Sequence, residues 1–145
     1  MALMTVTSVE ALPKGRLRVT LSTGRMIEVD VSEYLDSPGY ERLRKAASFA
    51  RADVAEWGHG VSWPGDIAIP VEALYRLARE QAGLAWPTHR FNAWMKRHDL
   101  SAAQAARALG LTRRTILYYH TGAKPIPTYI ALACEGWEHR QLKAA

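Results

Sequence analysis

The chain has 145 residues, of which 48% are hydrophobic and 23% are charged, and its net charge is +5. This composition is typical of a folded protein with one ordinary domain or two small ones, and it excludes an extensively disordered chain. The sequence has no run of about 18 apolar residues and does not begin like a signal peptide, so we expect a cytoplasmic protein with no membrane partner.

The charge is distributed unevenly along the chain. Residues 1–84 carry ten Lys and Arg against eleven Asp and Glu, a net charge of −1. Residues 85–145 carry nine Lys and Arg against three Asp and Glu, a net charge of +6. Such an asymmetry favours contact between the second part and a polyanion such as nucleic acid, with a merely solvated basic surface as the alternative.

The first part begins with short strands. Apolar and polar residues alternate over residues 16–22 and again over 25–31, and Thr23-Gly24 between them is typical of a tight turn. These segments predict a β-hairpin, and residues 5–10 predict a third strand.

A second hairpin and two helices complete the predicted first domain. Residues 49–57 and 61–63 flank a Gly-His-Gly turn and predict the hairpin. A short helix is predicted over 39–46, and a longer one from Pro70 to Gly83, where apolar residues recur at helical spacing. Residues 1–84 are therefore predicted to form an α+β domain with a small antiparallel sheet and one or two helices.

Residues 85–145 are predicted to form an all-α domain. The segment AGLAWPT at 82–88 interrupts the preceding pattern with Pro87 and offers Thr88 as a helix N-cap. Further helices are expected over 90–98, 101–109 and 113–121 and after Pro127. The last of these is expected to bury Ile130, Ala133, Cys134 and Trp137.

The two middle helices of this domain have the spacing of a DNA-binding helix–turn–helix. Such a unit needs a small residue where the helices cross, a turn residue that tolerates positive φ, and an apolar anchor on the second helix. Ala106, Gly110 and Ile116 supply these features at the spacing A-x3-G-x5-I. Ser101 and Gln104 form a capping-box motif at the start of the first helix.

The second of these helices begins with two arginines, directly after its predicted N-cap Thr112. Positive charge at this end opposes the helix dipole at a cost of roughly a few tenths of a kcal/mol, so an external anion is expected there. Helical periodicity places Ile116 and Tyr119 on the inner face. The opposite face carries Arg114, Leu117, Tyr118 and Thr121, with Arg113 on the flank. Arginine and tyrosine on that face suit contacts with guanine and with a thymine methyl.

Residues 101–127, SAAQAARALGLTRRTILYYHTGAKPIP, resemble the helix–turn–helix of the lambda-repressor-like (Cro/C1, XRE-type) DNA-binding family, and the resemblance covers about residues 88–140. By position, it implies that Arg113, Arg114 and Tyr118 read bases. It implies that Thr112, Thr115 and Lys124 contact phosphates. The family often has a glutamine that braces the backbone and a base-reading neighbour, where this chain has Ala102. The resemblance implies a transcriptional regulator that binds double-stranded DNA. A homodimer is expected, because one such unit buries little surface, whereas a two-fold pair reads two half-sites about 34 Å apart.

The first part has a resemblance of its own. LRVTLSTGRMIEVDVSEYL, followed by FARADVAEWGHGVSWPGDIAIPVEALY, resembles the DUF2442 family over about residues 5–80. That family has no well-defined function, and its small members are often encoded beside a partner, which implies a protein-binding role. The alternative to a regulator is therefore an antitoxin or adaptor whose first domain binds a protein partner, with DNA binding secondary or autoregulatory.

No motif in the sequence points to catalysis, a cofactor or a metal. Phosphate-binding glycine loops and nucleophile elbows are absent, and the histidines lack metal-ligand spacing. Trp63-Pro64-Gly65-Asp66 is interpreted as a turn with Trp63 in the core, and a ligand or partner surface is the alternative. His59 is interpreted as a turn residue, with an enzyme using His59 and Asp66 as the alternative. We expect a binding protein that is not an enzyme and that uses no cofactor or metal.

Overall fold

The structure, a computed structural model, describes residues 3–144. The chain divides into two compact units, Met1–Gln81 and Ala82–Ala145. The first unit combines strands with short helices, and the second unit consists of helices. The mixed α and β character that the sequence predicts is therefore observed.

The first unit begins with a three-stranded antiparallel sheet. Its strands are β1 (Val6–Leu12), β2 (Arg16–Leu21) and β3 (Met26–Asp30), in that spatial order. Leu17, Val19 and Leu21 of β2 are almost completely buried, which confirms the alternation seen in the sequence. The β2–β3 connection turns at Gly24, whose φ of +88° lies in the left-handed region that glycine tolerates.

A short helical segment follows this sheet and departs from the prediction. The helix expected over 39–46 is instead a 3₁₀ turn, Glu41–Arg44, followed by the four-residue helix α2. Lys45 is extended between them (φ −80°, ψ 126°), and in the turn only Leu43 is buried, so a continuous helix is not stabilised by packing. The sequence also does not predict helix α1. The two helices are α1 (Ser32–Leu35) and α2 (Ala46–Phe49).

A second three-stranded antiparallel sheet completes the first unit, whereas the sequence predicts a single small sheet. The strands, in spatial order, are β4 (Asp53–Val54), β5 (Gly60–Trp63) and β6 (Ile67–Pro70). The predicted hairpin is present as β4 and β5, although β4 has only two residues. Strand β6 was not predicted, because four residues ending in proline are too short to show a clear alternation.

Helix α3 (Val71–Gln81) follows β6 directly and ends two residues before the predicted limit at Gly83. Its residues Val71, Leu74 and Leu77 are buried. They join apolar residues from both sheets, the 3₁₀ turn and α2 in one core, including Leu17, Val19, Val29, Leu43, Phe49, Val61, Trp63 and Ile69.

The second unit contains four helices in residues 82–144. They are α4 (Thr88–Arg97), α5 (Ala102–Leu109), α6 (Arg113–Thr121) and α7 (Thr128–Ala144). Their shared core is largely aromatic and aliphatic and comprises Phe91, Trp94, Met95, Ala105, Ala106, Ile116, Tyr119, Ile126, Ile130 and Cys134.

Two expectations for these helices require correction. Helix α4 begins at Thr88 itself, and the preceding Pro87 occupies the cap position, because proline suits the extended backbone before a helix. In α7, Ile130 and Cys134 are buried and Trp137 packs against the core, as predicted, whereas Ala133 is only partly covered. Among the helices of residues 3–144, none is both long enough and apolar enough to cross a membrane.

Candidate nucleic-acid interface

Helices α5 and α6 are joined by a short turn at Gly110. This glycine ends α5 with a φ of +71°, and its N–H donates to the carbonyl of Ala106. The N–H of Leu111 also donates to the Ala106 carbonyl at 2.9 Å. Ala106 and Ile116 are buried in the helical core. The three residues of the A-x3-G-x5-I pattern therefore lie at the contact between α5 and α6.

Both helices begin at side-chain caps. The Ser101 hydroxyl accepts from the Gln104 N–H at 3.1 Å, and the Gln104 side chain accepts from the Ser101 N–H at 2.8 Å. At the start of α6, the Thr112 hydroxyl accepts from the Thr115 N–H at 3.1 Å, and the two hydroxyls lie 2.9 Å apart. The cap makes Arg113 the first helical residue. N–H groups in a helix's first turn have no partner within the helix and can bind an anion.

Arg114, Tyr118 and Lys124 form a cluster on the outer face of α6. The Arg114 Nε donates to the Tyr118 hydroxyl at 2.6 Å, and its Cζ lies 5.4 Å from the centre of the Tyr118 ring. The Lys124 Nζ lies 4.3 Å from the centre of the same ring. One aromatic ring therefore holds two cations through cation–π contacts.

The end of α6 brings Lys124 to this ring. Gly122 terminates the helix with a φ of +80°. The N–H groups of Ala123 and Lys124 then turn back toward the Tyr118 carbonyl, at 3.0 and 3.4 Å. This reversal places Lys124 against a residue one and a half helical turns earlier.

The cations of this surface have no acidic partners. In residues 3–144, none of the ion pairs includes Arg113, Arg114 or Lys124. The second unit has three acidic residues, and one of them, Glu138, is bound to Arg97 and to His98 Nε2 at 2.8 Å. Hydrogen bonds from Arg97 and His98 lower the pKa of the Glu138 carboxyl. The positive charge of α6 is therefore not neutralised within the described chain.

Leu117, Tyr118 and Thr121 complete the outer face of α6, and Tyr118 is the least exposed of them. Leu117 is 38% exposed, whereas the Thr121 hydroxyl donates to the Leu117 carbonyl at 2.9 Å. Tyr118 is half-buried beneath its two cations. Ile116 and Tyr119 lie in the core, on the inner face that helical periodicity predicts.

Asn92 is a residue of this surface that the sequence analysis missed. Its Nδ2 donates to the His120 carbonyl at 3.0 Å, and its Oδ1 lies 2.8 Å from His120 Nδ1. A single asparagine on α4 therefore fixes both the backbone and the side chain at the end of α6. No local pattern reveals this contact, because 28 residues separate the partners.

Of the other candidate residues, Trp63 has a structural role and His59 is exposed. Trp63 is buried and donates from Nε1 to the Phe49 carbonyl at 2.9 Å, while His59 is exposed beside Trp57. Within residues 3–144, no group of three or more His, Cys, Asp or Glu could hold a metal ion. Burial raises the pKa of the Cys134 thiol to about 12, so this cysteine stays protonated and unreactive at neutral pH.

The sequence profile of DUF2442, described as a protein of unknown function, matches residues 6–80. The chain belongs to the DUF2442 family. In this DUF2442 protein the matched segment lies within the first compact unit, Met1–Gln81. No curated protein matches the chain.

The DUF2442 protein is also similar to a chain of known crystal structure from Nitrosomonas europaea, described as a "Putative DNA Binding Protein". The two chains are 42% identical, with a TM-score of 0.63. The alignment covers 94% of this chain and 87% of the other. The similarity therefore extends beyond the family match and includes most of the helical unit.

Proposed function

We propose that this DUF2442 protein is a sequence-specific DNA-binding protein and a transcriptional regulator that places α6 in the major groove. The observation that carries this proposal is the presence of three cations at α6, Arg113, Arg114 and Lys124, none of which forms an ion pair within residues 3–144. DNA carries closely spaced phosphates, so such a surface gains affinity by releasing the counterions of the duplex. The similarity to a chain described as DNA-binding supports the same function.

The proposed binding mode is that of a lambda-repressor-like helix–turn–helix. Helix α5 crosses the backbone, and α6 presents its first residues to base edges. Arg114 is the main base-reading residue, because its Nη atoms remain available after Nε has bonded to Tyr118. Arg113 lies beside it at the helix start.

Phosphate contacts are proposed around the same helix. Thr112 and Thr115 contribute through the N-terminal end of α6, where the helix dipole and free N–H groups favour an anion. Lys124 contributes from the other end through its ammonium group. Two copies of the chain would be needed to read a two-fold-symmetric site, because one such unit covers few base pairs.

The experiment that tests this function is selection of bound duplexes from a random pool by the full-length protein. We expect a consensus with two-fold symmetry and half-sites one helical turn apart, about 34 Å. The matched controls are Arg114→Ala, which should relax the consensus at one base pair of each half-site, and Arg25→Gln on the first unit, which should keep the full consensus. Recovery of the unselected pool by the wild-type protein would rule the proposal out.

A second candidate function is protein binding by the first unit, as an antitoxin or adaptor, and Trp57 favours it. This tryptophan is 80% exposed and has a φ of +56°, a conformation that costs an ordinary residue about 1–2 kcal/mol. Exposed tryptophan is enriched among residues that dominate protein interfaces.

The test of this second function is co-purification with the product of the neighbouring gene. We expect Trp57→Ala to release the partner, and Arg114→Ala to retain it. Equal retention by both variants would contradict a docking role for Trp57.

A further inference from the structure

Two arginines of the first unit line one small pocket beside the Trp63-Pro64-Gly65-Asp66 turn. The pocket has a volume of about 110 Å³. Its walls are Arg42, Leu43, Ser48, Arg51, Trp63 and Pro64. Pockets for drug-sized ligands are about 300–1,000 Å³, so this one suits a single small chemical group.

The segment that supplies most of the pocket wall is strongly positive. Residues 40–52 contain four Lys and Arg and one acid, Glu41, although residues 1–84 as a whole have a net charge of −1. The Glu41 carboxylate accepts from the Gly39 N–H at 3.0 and 3.2 Å. In the described part of the chain, neither Arg42 nor Arg51 forms an ion pair, and Asp66 forms none either.

Gly65 makes room for one of these arginines. A Cβ atom at this position would lie 2.7 Å from the Arg42 Nη1, closer than real Cβ contacts allow. The Arg42 guanidinium therefore lies directly against the turn at Gly65. It occupies space that the Cβ atom of any other residue at this position would need. The same guanidinium therefore lies both against the turn and at the pocket wall.

Both walls of the pocket are held by hydrogen bonds to the second sheet. On one side, the Tyr40 hydroxyl donates to the Ala68 carbonyl of β6 at 3.0 Å, next to the 3₁₀ turn that carries Arg42. On the other side, the buried Trp63 Nε1 donates to the Phe49 carbonyl at the end of α2. These bonds pre-organise the pocket, which lowers the entropic cost of binding.

We propose that this pocket binds an oxyanion, either a carboxylate or a phosphate group, between Arg42 and Arg51, with the Ser48 hydroxyl as a further donor. Guanidinium groups donate pairs of parallel hydrogen bonds that match both oxyanions. An oxyanion would also offset the positive charge of two arginines that form no ion pair within residues 3–144. This site lies in the DUF2442 unit and does not depend on the proposed DNA-binding function.

The test is an NMR titration of the full-length ¹⁵N-labelled protein with inorganic phosphate and, separately, with acetate, at constant ionic strength. We expect saturable shifts of the Trp63 indole and Gly65 amide signals. The double variant Arg42→Gln, Arg51→Gln should weaken binding at least tenfold, and Ser48→Ala should weaken it less. Replacement of Arg25, an exposed cation in the β2–β3 turn, by glutamine should change the affinity less than twofold. Tighter binding of phosphate or of acetate identifies which oxyanion the pocket prefers.

Three results of the anion titration would overturn the proposal. They are shifts that never saturate with either anion, unchanged affinity in the double variant, and an equal loss in Arg25→Gln. The same double variant should bind duplex DNA within twofold of the wild-type protein. If the double variant loses as much DNA affinity as Arg114→Ala, Arg42 and Arg51 belong to the DNA-binding surface of the protein. That result would refute an independent oxyanion site.

Discussion

Arg114 and Tyr118 act as a pair on the surface of α6. The hydroxyl of Tyr118 accepts from the Arg114 Nε, and the ring lies beneath the Arg114 guanidinium and the Lys124 ammonium. These contacts restrict the Arg114 side chain in the free protein. Less conformational entropy is therefore lost when the side chain binds DNA. At the residue scale, we therefore expect Tyr118 to position Arg114 rather than to read a base by itself.

Replacement of Arg114 by alanine should reduce affinity for the selected operator by about 1–3 kcal/mol and relax selectivity at one base pair. The measurement is a set of binding curves on the operator and on single-base variants. Arg25→Gln serves as the control for a lost positive charge elsewhere. If affinity falls equally for all sequences, Arg114 contacts phosphate and does not read a base.

Replacement of Tyr118 by phenylalanine removes only the acceptor of the 2.6 Å hydrogen bond. We expect weaker selectivity at the base pair assigned to Arg114, with no loss of thermal stability, because the Tyr118 hydroxyl is not in the core. In the Arg114→Ala background the same change should have little further effect. Additive losses in this double-mutant cycle would mean that Tyr118 contacts DNA independently.

At the scale of elements, capping residues determine where α6 begins and ends. Thr112 accepts from the Thr115 N–H at one end, and Gly122 adopts a left-handed conformation at the other. The Asn92 side chain ties the same helix to α4 through His120. The position of the arginines thus depends on contacts at both ends of the helix.

Loss of the N-cap should destabilise the helical unit. Thr112→Val keeps the shape of the side chain and removes the hydroxyl, so the free energy of unfolding should fall by about 1 kcal/mol in denaturant titrations. Thr112→Ser retains a capping hydroxyl and should stay close to the wild type. Equal stability of the valine and serine variants would show that the cap contributes nothing.

Helices α4 and α7 are joined by Glu138, which accepts from Arg97 and His98. Because these bonds lower the pKa of Glu138 below its ordinary 4.5, the carboxylate stabilises the folded state above that pH. Its contribution is lost as the pH falls through the lowered value. We expect Glu138→Gln to unfold more easily at pH 7, by about 0.5–1 kcal/mol, and to show a weaker loss of stability in acid. Glu135→Gln is the matched control, and an identical acid dependence of the two variants would contradict the prediction.

At the scale of the whole molecule, the two parts of the chain differ in net charge. The second part carries a net charge of +6 and the first part −1. If binding neutralises four to six phosphates, the logarithm of affinity should fall with the logarithm of salt concentration at a slope of about −4 to −5. Titration of operator binding between low and physiological salt measures this slope. Affinity that does not change with salt would exclude a phosphate-binding surface.

Much of the secondary structure could be predicted because its determinants are local. The alternation of Leu17, Val19 and Leu21 reflects a period that any strand with one buried face must have. The capping box at Ser101 and the positive φ at Gly110 likewise follow from residues within one helical turn. The predicted helix at 39–46 was wrong because spacing alone does not show whether a neighbouring element will cover the apolar residues.

The sequence by itself determined the local features of this protein: its strand alternation, its helix caps, its uneven charge and its two arginines after Thr112. Only the tertiary structure placed Asn92 against His120 and Arg42 against Gly65. The physical reason is distance along the chain. Local patterns arise from backbone geometry within a few residues, whereas these contacts depend on how separate segments pack around a shared core.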